Sequence, residues 1–270
     1  MREYDLYIVP TPIGNLQDIT LRAIDILKFV DVIACEDIRV TQKLLNHYDI
    51  KTKCISYHKF NEKERIEKFL QILSEGKKIA LVSDAGTPLF CDPGAVLVKE
   101  LEKRGYSVTS LPGANAVITF LSGVAREGED FVFVGFMPRN QIQIEKLLDK
   151  YRETDLVFYD SPNRIMNTLN IIKNNRAGVI VSIGRELTKV FEEIVTGPAD
   201  EVIGHFHDGV VKGEIVGVVH REKLNANEIE LEKNIKLLKE KSFGAKDISV
   251  ILSTLYGYSK NQVYKRIDCN

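Results

Sequence analysis

The feature that most constrains this chain is an alternation. Short apolar runs take turns with stretches of helical period, and nearly every apolar run stops at a loop dense in proline, glycine and charge. Residues 5–9, 32–35, 79–83 and 106–111 read as strands. Residues 21–29 read as a helix with Thr20 as its N-cap. The clearest helix covers 62–75, where Ile66, Phe69, Leu70 and Leu73 fall at i, i+3, i+4 and i+7. Asn61 and Glu64 have capping-box spacing there, and Gly76 closes the far end. Residues 95–104 read as a further helix with Gly105 behind it. Apolar strands separated by helices call for a mainly parallel sheet covered on both faces.

A second round begins near Phe131. Residues 131–135, 156–159 and 179–183 are strand-like and separated by helical stretches. Residues 190–195 and 214–220 alternate polar with apolar, so part of this second sheet is expected to be antiparallel. Residues 121–130 carry two glycines and mixed charge and mark the junction. Beyond Arg221 the texture becomes helical and highly charged: an amphipathic stretch over 229–240, then a helix, a stop at Gly257, a cap at Ser259 and a last helix. The expected organisation is an N-terminal α/β domain at 1–122, a second α/β domain at 123–222 and a helical segment at 223–270. A length of 270 residues with 44% apolar content fits one large or two medium domains.

Other function classes are narrowed by composition. A net charge of −1 offers no global basic field for nucleic acid, although local basic patches remain open. Cys35, Cys54, Cys91 and Cys269 are scattered without a CxxC pair, so neither a disulfide nor a zinc site is expected. His205 and His207 flank Phe206 like a metal pair, but i, i+2 positions diverge on a helix; no metal is expected. No 18-residue apolar run occurs, which points to a cytoplasmic protein with no membrane partner.

In open α/β sheets ligands sit beyond the carboxyl ends of strands. The loops at those ends read PTPIGNLQDIT, CEDIR, SDAGTPLFCDPG, LPGANA, FMPRN, YDSPNR and GRELTK, and they hold nearly all the prolines. Turns alone do not need that density of special backbone. Glycine permits close approach and proline stiffens the wall, so the loops read as the lining of a ligand site. No GxxxxGK[ST] and no GxGxxG is present. The loops of the first half carry no lysine, which suits an adenosine-like or cationic ligand better than a triphosphate.

VPTPIGNLQDIT, CEDIR, YHKFNE, VSDAGTPLFCDPG, LPG.NA, GFMPR, YDSPNR, RELTK.FEE and KGEIV occur in this order, and the chain thereby resembles the ribosomal-RNA branch of the tetrapyrrole methylase family over residues 4–220. The resemblance implies two α/β domains with the donor cleft between them, a homodimer, and S-adenosylmethionine as methyl donor. It implies ribose 2′-O-methylation of a cytidine (1402 in the usual ribosomal numbering) in the decoding region of 16S ribosomal RNA, free or in the small subunit. By position it places Pro12, Gly14, Asp84, Gly86, Thr87, Phe90, Asn115, Ala116, Tyr159 and Ser161 on the donor. Ile38 stands where the branch has Thr, Ala114-Asn115 where it has Pro-Ser, and Asn163 where it has His. Methylation of a small tetrapyrrole, and a non-catalytic module that binds S-adenosylmethionine or a nucleotide, are the alternatives.

Methyl transfer to an alcohol is an in-line displacement that needs alignment and a base. Glu36, Glu186 and Lys189 are the leading candidates, with Asp37 and Asp84 beside them, and the sequence does not choose among them. Arg39, Arg139, Arg164 and Arg185 each lie just past a strand's carboxyl end. Together they would give RNA phosphates a local positive rim despite the net charge. A surface ion pair between Glu36 and Arg39 is the plain alternative for those two.

Overall fold

The computed structural model describes residues 3–207, 211–222 and 226–268; Cys269 lies outside them. The chain divides into two compact units. One is Met1–Gly123 with Glu186–Glu192; the other is Val124–Arg185 with Glu193–Asn270.

The first unit holds β1 (Leu6–Ile8), α1 (Leu21–Phe29), β2 (Val32–Cys35), α2 (Ile38–His47), β3 (Lys53–Ser56), α3 (Glu62–Ser74), β4 (Ile79–Val82), α4 (Ala95–Lys103), β5 (Val108–Ser110) and α5 (Ala116–Ser122). Its sheet has the order β3-β2-β4-β1-β5, and every pairing is parallel. Alternate residues feed two cores. Tyr7, Val9, Ile33 and Cys35 pack with Ile26, Leu27 and Leu45, while Leu6, Ala34 and Leu81 pack with Phe69, Leu97 and Leu101. A strand covered on both faces has no polar side, which is why these runs read as continuously apolar.

Thr20 caps α1 by accepting from the Ala23 amide at 3.1 Å. Three elements, α2, β3 and α5, have no counterpart in the sequence expectations. α2 starts at Asp37, whose side chain accepts from the Arg39 amide at 2.8 Å, and it buries Thr41, Leu44 and Leu45. β3 is an edge strand with only Ile55 buried, so it lacks the apolar run that announces a central strand. The capping box expected at Asn61 is also absent. Asn61 Oδ1 accepts from the His58 amide at 2.8 Å, closing the preceding turn, and makes no bond to α3.

The second unit contains β6 (Phe131–Phe136), α6 (Gln141–Lys150), β7 (Asp155–Asp160), α7 (Ile165–Asn175), β8 (Ile180–Arg185), β9 (Glu193–Pro198), α8 (Ala199–His207) and β10 (Ile215–Val219). The sheet order is β6-β7-β10-β8-β9. β6 and β7 are parallel and the other pairings antiparallel, so this sheet is mixed as the alternating runs predicted. The strand expected over 190–195 begins instead at Glu193. Val190 and Phe191 are 94% and 73% exposed and join no ladder, because residues 186–192 fold with the first unit. Three further helices, α9 (Ala226–Glu240), α10 (Ala245–Tyr256) and α11 (Lys260–Asp268), share a core of Leu231, Ile235, Ile248, Leu252, Val263 and Ile267. Gly257 takes φ +71° between α10 and α11, and Ser259 Oγ accepts from the Gln262 amide at 3.2 Å.

β10 carries a tightly packed core site. A Cβ added at Gly217 would lie 2.4 Å from Phe158 Cζ and 2.9 Å from Ile183 Cδ1. Gly217→Ala should therefore cost about 1–3 kcal/mol by overpacking. Urea unfolding reads this as a lower midpoint at constant slope; an unchanged midpoint would contradict it.

Candidate active site

The first sheet brings the carboxyl ends of its strands to one edge. β1 lies between β4 and β5, and the chain changes sides of β1 in passing from one to the other. That is a topological switch point, where the emerging loops leave a crevice. The loops are tied to one another there. Thr11 and Gly86 exchange both backbone hydrogen bonds at 2.9 Å, Thr11 Oγ1 donates to the Ser83 carbonyl at 3.0 Å, and Ser83 Oγ donates to the Gly86 carbonyl at 3.1 Å. Gly86 holds φ +80°, a conformation costly for a residue with a Cβ. Thr87 Oγ1 donates to the Ala114 carbonyl at 2.9 Å. Gly113 packs so closely on Pro10 that an added Cβ would sit 2.5 Å from the ring.

Asn115 caps α5, accepting from the Ile118 amide at 3.2 Å, with Ala116 as the first helical residue. Asn and Ser cap equally well, which gives a physical reason for Asn at a position where the branch has Ser. Phe90 is 56% exposed.

Around these loops lies a concentration of negative charge. Burial raises the Glu36 carboxyl above its ordinary value, and the charges of Asp84 and Asp92 raise it further, with His58 opposing. Asp84 is raised by burial and by Asp37, although it accepts from the Asp37 amide at 3.0 Å. Asp92 is raised by burial and by Asp84. Asp92 was not among the residues expected from sequence. Its signal was the CDPG turn, which stands next to Phe90. Asp37 behaves oppositely: the hydrogen bonds from Arg39 pull its carboxyl down to about 2. The Arg39–Asp37 pair is 2.6 Å long, so the partner of Arg39 is Asp37 and not Glu36.

Residues 186–192 supply the remaining groups of this unit. Glu186 and Thr188 hold φ of +51° and +64° without being glycine, a form of strain that persists only where the surroundings enforce it. The enforcing contacts are visible. The Asn15 amide donates to Thr188 Oγ1 at 3.0 Å, the Thr188 amide donates to Glu192, and Lys189 Nζ pairs with Glu186 Oε1 at 2.8 Å. Gly14 is the seat of this hook: a Cβ there would lie 2.6 Å from Lys189 Cγ and 2.7 Å from the Leu187 carbonyl. Pro12 is half-buried in the same loop. The first unit thus gathers Glu36, Asp84, Gly86, Thr87, Asn115 and Ala116, and sets Lys189 against Gly14.

In the second unit, Tyr159 on β7 packs edge-on against Phe133 and Phe136 at 5.0 and 5.6 Å. Asp160 pairs with Arg164 at 2.5 Å, and Arg164 Nε donates to Ser161 Oγ at 3.3 Å. β8 runs parallel to β7, with Asp160 and Arg185 both opposite Ile215. Arg139, Arg164 and Arg185 therefore share one edge of this sheet. Arg185 is held by Glu193 at 3.0 Å and by the Lys212 carbonyl at 3.3 Å, and Arg139 is exposed. His205 Nε2 contacts Glu193 Oε1 at 2.7 Å, and His207 is the last residue of α8.

The raised carboxyls carry a sign that can be tested. A carboxyl whose folded value lies above its unfolded one adds no cost below the unfolded value and costs stability once the pH rises past it. Asp92→Asn should raise the melting temperature at pH 7.5 and leave it unchanged near about pH 3, where the carboxyls are neutral in both states. A loss of stability at pH 7.5, or the same shift at both pH values, would contradict the electrostatic origin.

The family described as Tetrapyrrole (Corrin/Porphyrin) Methylases matches residues 5–203. A protein from Halalkalibacterium halodurans named ribosomal RNA small subunit methyltransferase I is 45% identical over 231 residues, covering 83% of this chain and 79% of the relative. A protein of the same name from Rickettsia prowazekii is 36% identical over 264 residues, covering 96% and 94%. Among solved structures, diphthine synthase aligns with TM-score 0.64 at 12% identity over 83% of this chain and 93% of that one. A cobalt precorrin-4 methyltransferase aligns with TM-score 0.59 at 17% identity over 79% and 94%. These structural likenesses speak for the fold, and the sequence matches go further: this chain belongs to the tetrapyrrole methylase family and, within it, groups with the proteins named ribosomal RNA small subunit methyltransferase I.

Proposed function

We propose that this chain methylates the ribose 2′-hydroxyl of a cytidine in the decoding region of 16S ribosomal RNA. Membership of the family makes it a methyltransferase that uses S-adenosylmethionine as methyl donor. The observation that carries the RNA substrate is the 36–45% identity, over most of the chain, to proteins named for small-subunit ribosomal RNA. Methylation of a small tetrapyrrole has weaker support, since the solved neighbours with such substrates share only 15–17% identity.

The donor fits the residues present. S-adenosylmethionine, when bound, supplies a methyl group activated by a positively charged sulfur. A cation is favoured beside Glu36, Asp84 and Asp92, whose mutual repulsion a positive charge relieves. The loops over residues 11–14, 84–88 and 113–116 form a rigid frame without lysine, in keeping with a nucleoside held without phosphate-binding lysines. Pro12, Gly86, Thr87, Phe90, Asn115 and Ala116 are the donor contacts of the first unit in this reading, and Tyr159 and Ser161 are the further donor contacts that the resemblance implies.

Glu36 is assigned as the base that takes the 2′-hydroxyl proton. A carboxyl raised by burial is a stronger base than an ordinary one, whereas Lys189 and Glu186 are engaged with each other. Arg139 and Arg185 hold RNA phosphates, and Arg39 serves the same end on the first unit. Each is a point of backbone contact, and such contacts position RNA without reading its sequence. A homodimer is the proposed assembly.

The reading is tested by mass spectrometry of 16S ribosomal RNA from cells with and without the gene. Loss of one ribose methyl from one cytidine is expected, and unchanged RNA would refute the proposal. Glu36→Gln should lower kcat by about 10²–10⁴-fold while S-adenosylhomocysteine still binds with nearly unchanged affinity. An undiminished kcat would remove Glu36 from the mechanism.

A further inference from the structure

We infer that Asp160 is a positioning residue that sets the hydroxyl of Ser161 through Arg164. The inference rests on the proposed function only in taking Ser161 as a donor contact. Asp160 ends β7 and is 3% exposed. A buried carboxylate persists only where hydrogen bonds and an opposite charge replace the water it lost. Asp160 has three such partners. Oδ1 accepts from the Ser161 amide at 2.7 Å and pairs with Arg164 Nη2 at 2.5 Å, and Oδ2 accepts from Thr168 Oγ1 at 2.5 Å. Thr168 is itself buried, one turn into α7, so the carboxylate is fixed from the strand, the loop and the helix at once.

Arg164 carries that fixation onward. While its Nη2 is held by Asp160, its Nε donates to Ser161 Oγ at 3.3 Å. The Ser161 carbonyl accepts from the Arg164 and Ile165 amides at 3.0 and 3.1 Å, and Pro162 stiffens the turn between. The Ser161 amide, carbonyl and hydroxyl oxygen are thus all engaged within the loop. Since the oxygen accepts from a fixed cation, the O–H is left to donate, directed away from Arg164. The loop therefore presents one oriented donor, suited to an acceptor oxygen of the ligand. Arg164 takes on a different duty from the phosphate contact expected of it in sequence: its charge is committed to Asp160.

The test compares Asp160→Asn, Arg164→Gln, Ser161→Ala and the double variant Arg164→Gln/Ser161→Ala. The readouts are KM for S-adenosylmethionine, kcat, the Kd of S-adenosylhomocysteine by calorimetry, and the Kd of small-subunit ribosomal RNA. Asp160→Asn and Arg164→Gln should each raise the donor KM and the S-adenosylhomocysteine Kd by about threefold to tenfold, the value of one oriented hydrogen bond. Both kcat and RNA affinity should stay within about twofold, and the double variant should lose no more than the worse single one, since both changes remove the same contact. Arg164 begins a helix and is partly exposed, so its variant serves should Asp160→Asn fail to fold. Multiplicative losses in the double variant would overturn the inference. So would an Arg164→Gln protein with weakened RNA binding and an unchanged donor KM. A wild-type protein that bound no S-adenosylhomocysteine would overturn the donor assignment itself, and with it the role given to Asp160.

Discussion

The reciprocal pair of backbone hydrogen bonds between Thr11 and Gly86 is the constraint on which the first unit's site depends. Two loops leave adjacent parallel strands and would diverge without it. Their joining turns two separate connections into one surface, and it requires Gly86 at positive φ as well as the Thr11 and Ser83 hydroxyls that brace it. Thr87 extends the tie to the loop after β5, and the contact between Gly113 and Pro10 closes it from the other side. The prolines and glycines so dense in these loops therefore serve the protein's own backbone first. A ligand meets a frame that has already lost its conformational freedom, and binding need not meet that entropy cost.

Charge is arranged locally, not globally. The net charge of −1 hides a group of mutually repelling carboxyls at the first sheet's edge. It also hides arginines that nearly all have assigned carboxylates: Arg39 with Asp37, Arg164 with Asp160, Arg185 with Glu193. An arginine already aligned by a carboxylate gives up less side-chain freedom on meeting a phosphate, although its effective charge is partly spent. On the proposed reading, the sulfonium of the methyl donor would offset the repulsion among the carboxyls.

Much of the architecture was legible in residues 5–9, 32–35 and 79–83, where strands buried on both faces have no choice but to be apolar throughout. β3 was not legible, because an edge strand with one buried residue has no such signature. α2 was hidden because Glu36, Asp37 and Arg39 give its start the character of a charged loop, although Asp37 followed by Thr41, Leu44 and Leu45 is a cap and an apolar stripe. Val190 and Phe191 misled in the other direction: strand-like residues, they lie on an exposed hook.

By itself the amino-acid order determined the two rounds of α/β structure, the proline- and glycine-rich loops at the strand ends and the family, since periodicity, turn residues and motif order are properties of contiguous sequence. Tertiary structure alone decided that Gly14 is the seat of the Leu187–Lys189 hook, that Asp92 joins Glu36 and Asp84, and that Arg164 belongs to Asp160 and Ser161. The physical reason is common to all three. Each depends on which side chains come within a few ångströms after folding, and neither steric exclusion, nor electrostatic repulsion, nor a hydrogen bond has a value until that distance is set.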